Sequence, residues 1–387
     1  MHGHERVCGL EVRARGVDQN VGRTGRGPAA DEKGNERDRK RRRQSTVIAH
    51  RPVTPHLQRV SLTTLARRLI GSLVLIWLVL TLTFILVRIA PGDPATILIP
   101  PAATAADGIR LRSELGLDRP LAVQYARWSK SLLRGDLGES FALKRPVRDV
   151  IADALPISAA LGAVSLALTF LIGVPIGMIQ ARRRGSLTDR ALTVATVAVY
   201  AAPSFWLSLA LVGVFTYGAA TWGLPSWMRL PAFGIQTPGA MLHGSAKVAD
   251  IIRHAVLPVL ILSLIGAAGI ARYARSSIAD MLTQDFVRTA RAKGASPSRV
   301  HYRHVLATIL PILIVLFALA LPGVVAGSVF VESVFSWPGM GRAMLTAINA
   351  RDYPVILGTT AVYAAVVVLA NFAADVALPL VDPRRRV

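Results

Sequence analysis

The sequence predicts an all-α membrane protein with six transmembrane helices and both termini cytoplasmic. Three observations predict it. Apolar residues make up 52% of the 387 and fall in long continuous tracts rather than amphipathic stripes. Only 18% of residues are charged. The formal net charge of +22 is gathered into short runs beside those tracts, where Lys and Arg retained on the cytoplasmic side of a membrane accumulate. That placement argues against nucleic acid as the reason for the charge. The single cysteine, Cys8, leaves no intrachain disulfide and no thiolate metal cluster.

Residues 1–60 are rich in Arg, Gly and Asp and carry the run Arg39-Lys40-Arg41-Arg42-Arg43. Such a segment buries too little apolar surface to offset the entropy of ordering it, so a disordered basic tail is expected over 1–60, ahead of a six-span domain over 61–387. Its charge suits an anionic leaflet. The alternative is that part of it lies upstream of the true start. With more than 60 residues before the first apolar run, it does not read as a signal peptide.

The first span is expected at 69–89, after Arg67-Arg68, and is stopped by Pro91 and Pro94; about 20 residues match a hydrocarbon core of about 30 Å. Residues 91–153 are polar with balanced charge, which fits an extracytoplasmic region. Within it, 121–133 reads as a short surface helix with Tyr125 and Trp128 at the interface. Span two is expected at 157–179, against Arg182-Arg183-Arg184. Span three is placed at 191–217, kinked at Pro203. An outer loop with Trp222 and Trp227 follows.

Span four, at 255–270, reads as shorter, with Gly266 and Gly269 permitting close helix contact. Span five is expected at 309–330 with Pro311 and Pro322, and span six at 355–378, before Arg384-Arg385-Arg386. Six crossings put every Arg-rich run on one side. That side is expected to be the cytoplasm.

One cytoplasmic loop, expected at 273–305, is strongly basic yet helix-forming. Ala290, Ala292 and their Arg and Lys neighbours favour helix, while Gly294-Ala295-Ser296-Pro297 reads as a stop, a turn and a fresh start. Two short helices joined by a glycine turn make a knob able to dock in a groove.

Here the sequence resembles the permease subunits of binding-protein-dependent ABC importers, in the dipeptide, oligopeptide and nickel branch. The likeness rests on Thr289, Ala290, Arg291, Ala292, Lys293 and Gly294, continuing through Arg299, Tyr302, Arg303 and His304. The broader importer motif has Glu where Arg288 stands and Pro where Ala307 stands. Further matches are Pro91-Gly92-Asp93-Pro94, Leu115-Gly116-Leu117-Asp118-Arg119-Pro120, Gly135-Asp136-Leu137-Gly138, Glu332, and Phe335-Ser336-Trp337-Pro338-Gly339-Met340-Gly341. Arg351-Asp352-Tyr353-Pro354 and Asp382-Pro383-Arg384 complete the set.

The resemblance implies that 289–294 with Arg299, Tyr302 and Arg303 couple to an ATPase, and that Trp337, Pro338, Gly339 and Gly341 belong to a pathway or gating element. It implies a second permease, two ATPase subunits that use ATP and Mg, and an extracytoplasmic solute-binding protein. It implies no catalytic residue and no cofactor on this chain.

The residues also have plainer readings. Without the likeness, 290–294 is a basic inner loop, and 335–341 a Gly/Pro turn among aromatics. Asp93 and Asp136 read as turn or cap residues. His301 and His304 share a helix face, but no further ligand completes a metal set. The glycines at 21–27 lack the Lys and hydroxyl residue of a phosphate loop. A stand-alone ion-coupled carrier normally places ionisable groups inside its spans. A membrane enzyme with an extracytoplasmic site needs a nucleophile or acid–base pair that is not evident.

Overall fold

The computed structural model describes residues 62–98 and 104–381; the expectations for the 1–60 tail and for Arg384 to Arg386 lie outside them. Among the described residues, six helices are long and apolar enough to cross a membrane: Arg67–Ile89, Val147–Arg182, Ser204–Thr221, Gly244–Met281, Pro297–Val324 and Tyr353–Ala373. The first span is the bulk of α1 (Leu62–Ile89). Asp93 then caps α2 (Pro94–Leu98), its Oδ1 accepting the Ala95 amide at 2.9 Å. Helix α3 (Ala105–Glu114) opens with a capping box in which Thr104 and Asp107 satisfy each other's amides.

Helix α4 spans Leu121–Leu133, the range the sequence predicts, but its aromatic residues turn inward. Trp128 stacks on Phe84 of α1 at 5.1 Å between ring centroids, and Tyr125 shares a 2.7 Å hydrogen bond with Thr81. A Tyr hydroxyl inside apolar packing needs such a partner, and α1 supplies it.

The second and fourth spans exceed their expected lengths. Helix α5 (Val147–Arg182) has 36 residues and α8 (Gly244–Met281) has 38, so each is about 55 Å long at 1.5 Å per residue and projects beyond the apolar core. Hydropathy falls off at the expected bounds, yet both helices run on past them, α5 through Pro156. Residues 147–153 are thus the first turns of α5, and residues 273–281 the last turns of α8.

The seam between α5 and α8 is made by small residues. A Cβ on Gly177 would sit 2.6 Å from the Ala271 carbonyl oxygen, and one on Gly266 would meet Thr169 Oγ1 at 2.5 Å. Gly266 therefore makes the close contact expected of it. Gly269 does not, its nearest neighbour being Tyr200 at 3.6 Å.

The expected single third span is broken. Helix α6 (Leu187–Ala201) ends at Ala202, which is extended (φ −73, ψ 136), and α7 (Ser204–Val212) starts after Pro203. Proline excludes its predecessor from helical backbone, so the chain breaks where a kink was expected. Only the second piece, continued through a π turn at Gly213–Gly218, is of membrane length.

After α8 come α9 (Asp285–Ala292), a single turn at Pro297–Arg299, a π turn at Val300–Val305 and α10 (Leu306–Ala326). Span five was expected to run to Phe330. It ends instead at Gly327, whose φ of 68 leaves the helix, and a separate α11 (Val329–Val334) begins. Helices α12 (Met340–Asn349) and α13 (Tyr353–Val381) complete the fold. The helix ends fall into two groups. Arg182, Met281 and the α9 region lie at one end; Val147, α11, α12 and Tyr353 lie at the other.

Candidate functional site

Helix α9 closes with a Schellman turn. The Gly294 amide donates to the Arg291 carbonyl at 2.9 Å and the Ala295 amide to the Ala290 carbonyl at 3.1 Å, with Gly294 left-handed at φ +79. Apart from its two chain neighbours, no described residue has an atom within 4 Å of where a Gly294 Cβ would be. Within the chain, backbone conformation rather than crowding selects glycine here. Ser296 caps the next turn by accepting the Arg299 amide, with Pro297 in its favoured first position.

The first predicted short helix thus forms as α9, whereas the second does not stand alone: the turn at Pro297–Arg299 runs on through Val300–Val305 into α10 as one helix. The inner face of the stretch is apolar. Val287, Val300 and Val305 are fully buried against Met178 and Ala181 of α5, Ala274 and Ile278 of α8, and Ile309 and Leu313 of α10. Ala290 packs on the same cluster, and buried His301 bonds back to the Pro297 carbonyl. The outer face carries Thr289, Arg291, Ala292, Lys293, Gly294, Arg299, Tyr302 and Arg303, all exposed. Arg291, Lys293, Arg299 and Arg303 make no ion pair with a described residue. The result is a knob fixed to three span ends, with four cations facing outward.

Beside the knob, α6 is fastened to α8. Arg275 donates to both oxygens of buried Asp189, at 2.8 and 2.9 Å. These bonds, with the Gly185 amide, hold the Asp189 carboxyl down at about 2, so it is ionised at neutral pH.

At the other end, Glu332 organises the segment containing Trp337 to Gly341. Its side chain is fully buried. One carboxylate oxygen accepts Ser158 Oγ–H at 2.7 Å and the other accepts the Arg342 amide at 3.1 Å. Ser158 Oγ in turn accepts the Met340 amide at 2.7 Å. Gly327, Gly339 and Gly341 close around the carboxylate, leaving no room for a Cβ. Trp337 is buried against Leu161 of α5 and Val259 of α8, while Pro338 is exposed. Trp337, Pro338, Gly339 and Gly341 therefore lie together in one hairpin, about 30 Å along α5 from the knob, taking the 20 residues from Ser158 to Met178.

A second buried carboxylate, Asp352, does similar work nearby. It accepts Ser140 Oγ–H and the amides of Phe141 and Ala142, both at 3.1 Å, which ties the loop before α5 to the start of α13. Asp136 acts as the turn residue expected of it, accepting the Gly138 amide at 2.9 Å. Glu332 and Asp352 stand among the matched residues without an expected role, and Ser158 and Asp189 carry no local sequence signal for these contacts. An acid between apolar runs, as in Val331-Glu332-Ser333, was the available signal for Glu332, since a buried carboxylate demands partners. No group of three or more His, Cys, Asp or Glu is arranged to hold a metal among the described residues.

Residues 173–387 match the family model described as the binding-protein-dependent transport system inner membrane component, and residues 61–162 match its N-terminal counterpart. The chain belongs to that family. Among its relatives, the oligopeptide transport system permease AppB of Bacillus subtilis is 36% identical over 319 residues, covering 82% of this chain and 97% of AppB. A putative peptide permease of Brucella ovis is 39% identical over 326 residues, covering 84% and 98%. The solved structure of the MetNI methionine ABC transporter in inward-facing form overlaps 60% of this chain and 96% of its own, with 18% identity and a TM-score of 0.42. The chain is a permease subunit of an ATP-driven importer, a multi-pass protein of the bacterial inner membrane.

Proposed function

We propose that this permease imports peptides and takes its motion from separate ATPase subunits that seat on the 285–305 knob. One observation carries the coupling role: the knob is anchored by Val287, Val300 and Val305 to α5, α8 and α10, and presents Arg291, Lys293, Arg299 and Arg303 with no acidic partner among the described residues. A displaced knob moves three span ends together, because close-packed apolar contacts transmit strain rather than absorb it. Four cations on one face complement an acidic cleft. In this reading the knob end is cytoplasmic, and the hairpin and the region from 91 to the start of α5 face outward.

Peptide cargo is supported by relatives named as oligopeptide and peptide permeases. The translocation path lies between this chain and a second, homologous permease. An extracytoplasmic solute-binding protein delivers cargo, two ATPase subunits bind ATP and Mg, and this chain performs no covalent chemistry. ATP binding at the partner shifts the pathway between inward- and outward-facing packings, by as much as its affinity differs between the two.

The test is co-purification of the tagged chain from its native membrane in mild detergent. The parent is expected to bring down a second permease and ATPase subunits. Arg291→Glu with Arg303→Glu, both exposed, is expected to keep the permease and lose the ATPases. A parent that retains no ATPase, under conditions preserving a related importer, overturns the reading.

A further inference from the structure

A cavity of about 460 Å³ opens at the end of α5 remote from the knob, between α5, α12 and the 142–145 loop. Its floor is apolar, formed by Val150, Ala154, Ile157, Ala343, Ala347 and Val355. Arg342, Arg145 and Asp153 line its polar side. The volume lies within the usual range for small-molecule sites, and a few polar groups over an apolar lining is their usual composition.

Both walls are held by buried carboxylates. Glu332 takes the Arg342 amide and so fixes the wall of Pro338, Gly339 and Arg342. Asp352 takes the Ala142 amide and fixes the wall of Ala142 and Leu143. Neither wall shifts without leaving a buried carboxyl and its donors unsatisfied, which costs more than losing an exposed contact. The cavity is thereby preorganised.

Its charges are unequally committed. Asp153 and Arg145 pair with each other at 2.5 Å, and Asp153 remains 71% exposed. Arg342 donates one guanidinium N–H to the Ser336 carbonyl at 2.7 Å and pairs with no carboxylate among the described residues. An exposed guanidinium with donors to spare suits a carboxylate, which it can grip through two parallel bonds.

We propose that this cavity receives the C-terminal end of a small peptide, its carboxylate on Arg342 and its side chains over the apolar floor. Asp153 at the rim suits the peptide's ammonium end. The inference rests on the peptide-import reading and adds to it a site on this chain.

The test uses the assembled importer in nanodiscs and a tripeptide carrying a photoactivatable leucine, with crosslinks mapped by mass spectrometry. Crosslinks are expected within 150–157 and 343–347, suppressed by excess tri-alanine but not by its C-terminal amide. Arg342→Gln is expected to lower labelling about tenfold and Arg342→Lys less, the lysine keeping charge without the planar fork. Thr346→Trp, at an exposed rim position, is expected to block labelling without touching the Ser336 turn, so it decides the matter if Arg342→Gln destabilises the hairpin.

Parallel uptake of tri-alanine separates the two readings. A parent that takes up no peptide sinks both. A parent that imports peptide, with Arg342→Gln and Thr346→Trp labelled as the parent is, leaves the importer standing and removes the cavity site. Labelling suppressed by phosphatidylglycerol but not by tri-alanine makes this a lipid site and equally overturns the proposal.

Discussion

Ser158 on α5 donates its hydroxyl to Glu332 and accepts the Met340 amide, both at 2.7 Å. A single oxygen thus ties a membrane span to both sides of the hairpin that precedes the last span. Ser158→Ala is expected to leave one Glu332 lone pair and the Met340 N–H unsatisfied, costing on the order of 1–3 kcal/mol. Glu332→Gln is expected to be milder than Glu332→Ala, because an amide can donate to Ser158 and still accept from Arg342. Thermal melts of the three detergent-solubilised variants check the order; Gln and Ala equally damaging would refute the network.

Two glycines provide a matched pair. A Cβ on Gly339 would fall 2.3 Å from Ser158 Oγ and 2.6 Å from Glu332 Oε2, whereas one on Gly323 meets no described neighbour within 4 Å. Gly339→Ala is expected to destabilise by about 1–3 kcal/mol through overpacking. Gly323→Ala, inside α10 at ordinary backbone angles, is expected to be neutral or stabilising by up to about 1 kcal/mol. Melting both side by side tests the geometry.

The left-handed turn at Gly294 makes a separate prediction. Alanine fits the space but not the φ of +79, at a cost of roughly 1–2 kcal/mol. Asn, which tolerates this conformation, is expected to lose less. Hydrogen exchange at the 293–295 amides should quicken in Gly294→Ala while the buried cluster under the knob stays protected. Unchanged exchange would mean that the Schellman turn does not hold the knob.

Asp189 and Arg275 set a pH dependence whose sign follows from the low carboxyl value. With the folded group held at about 2, below the usual ~3.9, its stabilisation is fully present above about pH 4. It is lost as pH falls through about 2. Arg275 is about a third exposed, 34%, so Asp189→Asn is expected to cost only about 1 kcal/mol at pH 7. That difference should shrink towards pH 2 and stay flat between pH 5 and 8. A parent–variant gap that widened on acidification would contradict the assignment.

Much of the candidate site was legible in sequence because its signals are local. The 287–306 stretch carries its own stop and start signals, and these form the predicted turn, though the helix that restarts at Pro297 is the fifth span itself rather than a second short helix. Tyr125 and Trp128 were read as interface residues because spacing cannot say which neighbour a ring finds; Phe84 on α1 captures Trp128. Pro203 was read as a kink because sequence marks the forbidden residue before a proline but not whether packing lets the helix resume in line. The roles of Glu332 and Asp352 were hidden because the serines that bond them, Ser158 and Ser140, are 174 and 212 residues away.

What the sequence by itself determined is the number of crossings, the concentration of positive charge at one end of the spans, and the glycine-centred knob. Each follows from hydropathy, charge placement or turn chemistry, which act over a few residues. Tertiary structure alone decided where the helices end, which glycines are crowded, and how two buried carboxylates hold the walls of one cavity. The reason is physical: a carboxylate removed from water must be satisfied by whatever donors the fold brings to it, and here those donors come from a different part of the chain.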